Sequence, residues 1–360
     1  MAVESLVLAV NPGSSSRKYA LYNREKLLVS LHFEHENNQI VCTVDTGSNC
    51  YKIDNPINNL EDAPAQVVPI IEQANVVKNV NIKCIGLRVV APTSYFLKDH
   101  LLNDEVLAKL QYLKSRAPLH IGATLQESVH LKDCFKNTPI VLVSDSAFHI
   151  TKPDTAWNYA IHLEDADKYE IKRYGYHGIS LASVVRRLQE QNKLPEKLII
   201  CHLGSGSSAT AILKGNSIDT TMGYSPLEGL MMATRSGPMD VVAAITLKNA
   251  MGMDDPEFED YLNQTSGLRG ISGISSDVRT LLNSEASGDY RAGLALRMFV
   301  YHIQRAIGSL AASMDGVDAL VFTGTVGERS IIIRKRVVSG LSFLGFAIND
   351  ELNDKITEPK

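Results

Sequence analysis

The sequence predicts a duplicated α/β protein with a small-residue anion turn near the start of each half, both turns facing a central cleft. Three observations lead there. The apolar run Ser5-Leu6-Val7-Leu8-Ala9-Val10 enters the turn Asn11-Pro12-Gly13-Ser14-Ser15-Ser16 and leaves as the alternating run Arg17-Lys18-Tyr19-Ala20-Leu21-Tyr22. The same design returns as Lys197-Leu198-Ile199-Ile200-Cys201-His202-Leu203, the turn Gly204-Ser205-Gly206-Ser207-Ser208, and Ala209-Thr210-Ala211-Ile212-Leu213. Strand-type and helix-type runs interleave elsewhere, which implies α/β layers and not an all-β or all-helical fold. A strand, a Gly/Ser turn and a returning strand can surround an anion with backbone N–H groups and hydroxyls. Taken singly these are two ordinary hairpins; their matched placement favours duplication.

In chain order, residues 82–90 read as a strand, 104–113 and 121–129 as helices, and 140–143 as a short buried strand ending before Asp145. Residues 150–172, with Pro153 and scattered charges, read as the connection between halves, so domains are expected at 1–153 and 154–360. Residues 181–189 are helical, 289–314 form a long helix and 319–322 a strand. Gly324-Thr325-Val326-Gly327-Glu328 then resembles the strand–glycine turn–helix that cradles nucleotide, ahead of a helix over 331–339.

Composition removes several classes of function. At 44% apolar residues the 360-residue chain can bury a large core, which excludes a mainly disordered protein. Lys+Arg 36 against Asp+Glu 40 gives a net charge of −4 with no long basic block, so nucleic acid is not an expected partner. No apolar run approaches the ~20 residues of a membrane helix. The first residues carry Glu4 and no basic leader, so no signal peptide is expected. Five cysteines (Cys42, Cys50, Cys84, Cys134, Cys201), scattered and without a CxxC pair, suit a reducing, cytoplasmic compartment and argue against structural zinc.

The residues that could carry chemistry sit at strand ends and turns, where α/β proteins place ligands. In the first turn Ser14 and Ser16 offer hydroxyls, Gly13 removes a Cβ, and Lys18 could reach a bound phosphate; no Walker loop is present. Arg88 ends its strand and Arg235 lies in a glycine-flanked turn. Each is read either as a surface charge or as half of a clamp for carboxylate and phosphate. His120 follows Pro118-Leu119. His177, beside Gly178 in an aromatic loop, is the better donor toward charge on a transferring group. Asp145 is either an acid, base or metal-water ligand, or a helix N-cap. Three small-residue loops, 219–229, 266–279 and 324–328, together indicate phosphoryl transfer with a nucleotide in the cleft.

In order, NPGSSSRKYAL, RYGYHGIS, HLGSGSS, DTTMGYSPLEGLMMATRSG, SGLRGISGISSDVR and FTGTVGE resemble the acetate kinases of the sugar kinase–Hsp70–actin superfamily. The resemblance runs from Leu6 to about Asn353. It implies two ribonuclease-H-like (actin-like ATPase) domains around a central cleft, a homodimer, and reversible, Mg²⁺-dependent transfer of the ATP γ-phosphoryl to acetate. By the same resemblance Arg88 and Arg235 bind the carboxylate and stabilise the transition state, His177 contacts the transferring group with His120 beside it, Asp145 is the catalytic carboxylate, and Asn11 is the metal-side residue. Lys18, the turn His202, Leu203, Gly204, Ser205 and Gly206, then Asp277, Val278 and Arg279, and finally Thr325, Val326, Gly327, Glu328 and Arg329 match nucleotide contacts. Val90, Leu119, Tyr176 and Pro226 match an apolar pocket for the acyl methyl.

The chain departs from the family pattern at several points. H-R-V-V-H-G-G becomes Leu87-Arg88-Val89-Val90-Ala91-Pro92-Thr93; Ser205 replaces an asparagine, Thr325 a glycine and Tyr176 a phenylalanine. The family's T-N-E-E segment, with a magnesium-side glutamate, has no substitute in Glu351 to Lys360, so weaker metal placement is expected. Two functional readings follow: an acetate kinase, with propionate or another phosphate donor left open by Tyr176 and Thr325, or a divergent homologue with little or no kinase activity that binds a phosphorylated small molecule or a partner protein.

Overall fold

The computed structural model describes residues 5–13, 15–37, 39–77, 80–114 and 118–356, without the side chains of residues 115–120. Ser14 and the side chains of Leu119 and His120 therefore lie outside the described residues. The chain divides into two compact units, Met1–Ala147 and Phe148–Lys360. The expected boundary after residue 153 moves back because the turn Ala147–Thr151 is tied into the second unit. Buried His149 binds the Ser217 hydroxyl through Nδ1 (2.8 Å) and the Tyr176 carbonyl through Nε2 (2.9 Å), and the Thr151 hydroxyl donates to the Ser217 carbonyl. Residues 150–172 are correspondingly not a bare linker: they hold the short helices Asp154–Trp157 and Leu163–Lys168, with a bridge between Asn158 and Lys172.

In the first unit, β1 (Leu6–Pro12), β2 (Ser16–Asn23), β3 (Lys26–Glu36), β4 (Gln39–Asp45) and β5 (Cys50–Asp54) form an antiparallel meander. Next, β6 (Ile82–Val89) adds parallel to β1, and β8 (Ile140–Ser144) parallel to β6; the two-residue β7 (His100–Leu101) closes the edge, giving the order β5-β4-β3-β2-β1-β6-β8-β7. Alternation puts Tyr19, Leu21, Leu31, Phe33, Leu6 and Leu8 into one core with helices α1 (Ala63–Gln73), α2 (Asp104–Lys114) and α3 (Pro118–Cys134).

The second unit repeats the centre of that plan. β11 (Asn216–Thr220), β10 (Ser207–Leu213) and β9 (Lys197–Leu203) run antiparallel, and β12 (Ala319–Thr323) adds parallel to β9. This is the pairing of β3-β2-β1-β6 over again. β9 is an almost unbroken apolar run because both its faces are covered. Leu198 and Ile200 pack on α4 (Gly178–Glu190) together with Leu181 and Val185. Ile199, Cys201 and Leu203 face the long helix. Beyond the sheet lie α5 (Val241–Met251), α6 (Val278–Ala286), the long helix α7 (Tyr290–Ser313), α8 (Gly324–Arg329) and α9 (Ile331–Ser339). Asp289 caps α7 by accepting from the Ala292 N–H, and Ala292, Leu296, Phe299, Ile303, Ile307 and Leu310 form its buried stripe.

Candidate active site

In the first unit, three of the expected residues meet at the carboxyl ends of adjacent parallel strands, the position where open α/β sheets bind ligands. Asn11 lies near the end of β1, Arg88 near the end of β6, and Asp145 just past β8. The Arg88 guanidinium donates to Asn11 Oδ1 (3.1 Å) and to Asp145 Oδ2 (2.6 Å). Asp145 is only 1% exposed, and that guanidinium, whose side chain is 32% exposed, offsets its buried charge. Asp145 is thus a paired carboxylate. Val90, half-buried, follows β6, and exposed Lys18 pairs with Asn11 across the β1–β2 ladder.

The first turn also holds a residue that sequence reasoning passed over. Arg17 is buried beneath it: Nε donates to Glu127 of α3 (3.1 Å), while Nη1 donates to the Gly13 and Ser16 carbonyls. Glu127, itself buried, accepts from the Tyr19 hydroxyl as well (2.6 Å). Burial pushes the Glu127 carboxyl up, against the opposing pull of Tyr19 and Arg17. The turn is fixed from below by a desolvated ion pair.

In the second unit His177 is the last residue of its loop and the N-cap of α4, held in the left-handed region at φ 63°. Its Nδ1 pairs with the buried Ser208 hydroxyl (2.9 Å), which turns Nε2 toward the β9–β10 turn. There, a Cβ added to Gly206 would lie 3.3 Å from His177 Nε2 and 3.4 Å from Arg235 Nη1. Imidazole and guanidinium therefore crowd one point above the turn, and glycine leaves it open. The Arg235 segment is stitched to the turn by the Ala233 N–H donating to the Ser205 carbonyl (3.2 Å). His202, its Nδ1 bound to the Ser180 hydroxyl (2.9 Å), lies against His177 with ring centroids 4.1 Å apart and the planes tilted by 34°. The Leu203 side chain is fully buried in the core, so this residue presents only its backbone at the turn.

A cavity of about 450 Å³ opens in the same unit, lined by Asp277, Val278 and Arg279 from the start of α6 and by Thr325, Val326 and Arg329 from α8. Leu282, Asn283, Ser330, Ile331 and Ile332 complete its wall; sequence reasoning did not single them out, although helical spacing puts 278 and 282 on one face. Asp277 caps α6 and also takes the Arg279 guanidinium (2.8 Å), which holds its carboxyl below the usual range. Thr325 lines the cavity without closing it. Glu328 turns its carboxylate to the Thr323 hydroxyl (3.1 Å), and buried Gly327 packs on Phe322. The cavity has apolar walls, a polar rim and room for a ligand of nucleoside size. Tyr176 and Pro226 are both buried, and the Tyr176 hydroxyl donates to the Tyr224 carbonyl (2.5 Å).

Cationic groups gathered at both small-residue turns, with a nucleoside-sized cavity in the second unit, suit transfer of a phosphoryl group, and the class is an α/β phosphotransferase. The acetokinase family model matches residues 6–360. Over 358 residues the chain is 39% identical to the acetate kinase of Caldanaerobacter subterraneus subsp. tengcongensis, covering 96% of this chain and 89% of that one. Among solved structures, Porphyromonas gingivalis acetate kinase superposes with a TM-score of 0.88 at 31% identity, covering 99% of this chain and 92% of its own. A propionate kinase from Francisella tularensis gives 0.90 at 34%, covering 98% and 91%. The chain belongs to the acetokinase family, phosphotransferases with a carboxyl group as acceptor, and has their actin-like ATPase fold.

Proposed function

We propose that this chain reversibly transfers the γ-phosphoryl group of ATP to acetate. An acetate oxygen attacks the γ-phosphorus in line, the bond from phosphorus to the β,γ-bridging oxygen breaks, and acetyl phosphate and ADP result. Such a reaction asks for positioning and charge neutralisation more than covalent chemistry. The observation that carries this reading is the convergence of His177 Nε2 and Arg235 Nη1 above Gly206. Donors held there meet the charge that develops on the transferring group. Arg88, already gripping one carboxylate in Asp145, is the residue assigned to the acetate carboxylate. The adenosine belongs in the cavity between α6 and α8.

Asn11 and Asp145 offer the hard oxygen donors Mg²⁺ takes, and no group of three His, Cys, Asp or Glu side chains suited to a metal occurs among the described residues. That donor set fits an ion carried in by nucleotide phosphates, which supplies charge neutralisation there. A homodimer is part of the reading: none of the eleven residues of α5 is buried, and Val241 and Val242 are 71% and 70% exposed. A cytoplasmic location suits the five free thiols. The test is a hydroxamate assay for acyl phosphate with ATP and either acetate or propionate. Acetyl hydroxamate above the no-enzyme control is the expected result; none with either acid refutes the assignment. A preference for propionate, the acceptor named for the Francisella neighbour, would change the substrate and keep the chemistry.

A further inference from the structure

Beneath the His177 peptide runs a chain of hydrogen bonds that phosphoryl transfer, as described, does not use. It begins at Arg173, whose guanidinium donates to Glu228 Oε1; Oε2 of the same carboxylate accepts from the Tyr159 hydroxyl. That hydroxyl accepts in turn from the Tyr224 N–H (2.9 Å), and the Tyr224 carbonyl accepts from the Tyr176 hydroxyl (2.5 Å). Tyr176 is one residue from His177 and 1% exposed. Each link joins a different stretch of backbone, so the loop carrying Glu228 is pinned to the segment carrying Tyr159 and Arg173, and both to the His177 peptide.

The packing shows that the carboxylate is built in. A Cβ on Gly223 would fall 1.7 Å from Glu228 Oε2 and 2.2 Å from the Tyr159 oxygen, so any side chain there would push both groups out of their present places. The Arg173 guanidinium also lies over the Tyr159 ring (5.4 Å), and its carbonyl accepts from Lys152 Nζ. Burial and the neighbouring carboxylate push the Tyr159 hydroxyl well above its usual range, so it stays protonated and keeps donating to Glu228. His177 occupies a left-handed conformation that ordinary residues adopt at a cost, and such strain persists only where the surroundings over-determine it.

From this we infer that Glu228 is a positioning residue for phosphoryl transfer: through Tyr159, Tyr224 and Tyr176 it fixes where the His177 imidazole stands above Gly206. The inference rests on the proposed kinase reaction. Nothing in the chain of bonds touches the α6–α8 cavity lining, so nucleotide binding is expected to be indifferent to it.

The experiment compares Glu228→Gln, Tyr159→Phe and the double variant with the wild type. Each single substitution is expected to lower kcat for acyl phosphate formation by about 10- to 100-fold, the loss that sub-ångström to ångström misplacement produces. The KM for ATP is expected to stay within about twofold. Because both substitutions cut one relay, the double variant is expected to fall no further than the weaker single variant. Losses that multiply, an unchanged kcat, or a KM for ATP that rises in step would overturn the inference. Should Glu228→Gln fail to fold, Tyr159→Phe carries the test alone, since it keeps the ring under Arg173. A second readout needs no turnover: the His177 imidazole NMR resonances are expected to shift in Tyr159→Phe, and unchanged resonances would overturn the inference. A wild type inactive with every carboxylate would sink the kinase reading while leaving that spectroscopic test intact.

Discussion

The two small-residue turns, built on the same three antiparallel strands plus one parallel strand, are stabilised by opposite means. The β1–β2 turn rests on charge: Arg17 reaches up to the Gly13 and Ser16 carbonyls and is neutralised from below by Glu127. The β9–β10 turn closes with the Gly204 N–H on the Gly206 carbonyl (3.0 Å) and the Ala233 N–H on Ser205, while a hydroxyl, that of Ser208, orients His177. A turn braced by a buried ion pair keeps one shape at a high desolvation cost. A turn braced by neutral groups carries no such desolvated ion pair of its own, and Arg235 Nη1 stands beside it, 3.4 Å from where a Gly206 Cβ would lie.

The largest way to break this contrast is Arg17→Met. Leaving Glu127 buried without its cation is expected to destabilise the protein by about 3–5 kcal/mol, measured by urea unfolding at neutral pH, whereas Arg17→Met with Glu127→Leu recovers most of that loss. A single variant within about 1 kcal/mol of wild type would mean that the pair contributes little. Next in size is Gly206→Ala, whose Cβ presses on both His177 and Arg235; kcat is expected to fall about 10- to 100-fold with stability nearly unchanged. Gly13→Ala meets only its own turn, the Ser16 carbonyl at 3.3 Å, and is expected to cost less rate. Equal losses at the two glycines would erase the distinction.

A further effect, read as a slope against pH, concerns Lys152, the one deeply buried lysine among the described residues of the second unit. Burial pushes Lys152 down to about 7 from an ordinary value of 10.5. Between those two pH values the unfolded chain holds a proton that the folded chain does not, so stability rises with pH, by at most about 1.4 kcal/mol per unit. Below about pH 7 both states are protonated and the contribution levels off. Lys152→Met removes this slope; an identical pH dependence in variant and wild type would show that the amine stays charged in its site.

Much of this was legible in the sequence, and the missing part has a common cause. The strands flanking each turn, the helix over 331–339 and the apolar stripe of the long helix follow from local alternation and spacing, and each appears within a few residues of its expected bounds. Arg88, His177 and Arg235 stood out because glycine or strand-end chemistry surrounds them. Arg17 did not: alternation puts it on the same face as buried Tyr19, but its partner Glu127 is 110 residues away. The Arg173–Glu228–Tyr159 relay joins residues 55 and 69 positions apart with no periodic signal, and His149, which ties residues 147–151 into the second unit, looks like any loop histidine until Ser217 and the Tyr176 carbonyl are seen beside it. Pairings at long sequence separation leave no local pattern.

In the proposed reaction Arg235 acts on the transferring phosphoryl group. The most direct measurement is steady-state kinetics of Arg235→Ala in the acetate and ATP reaction. A fall in kcat of about 10³-fold, with the KM for ATP within about threefold of wild type, is the predicted result. A wild-type kcat, or a defect confined to the KM for ATP, would contradict it.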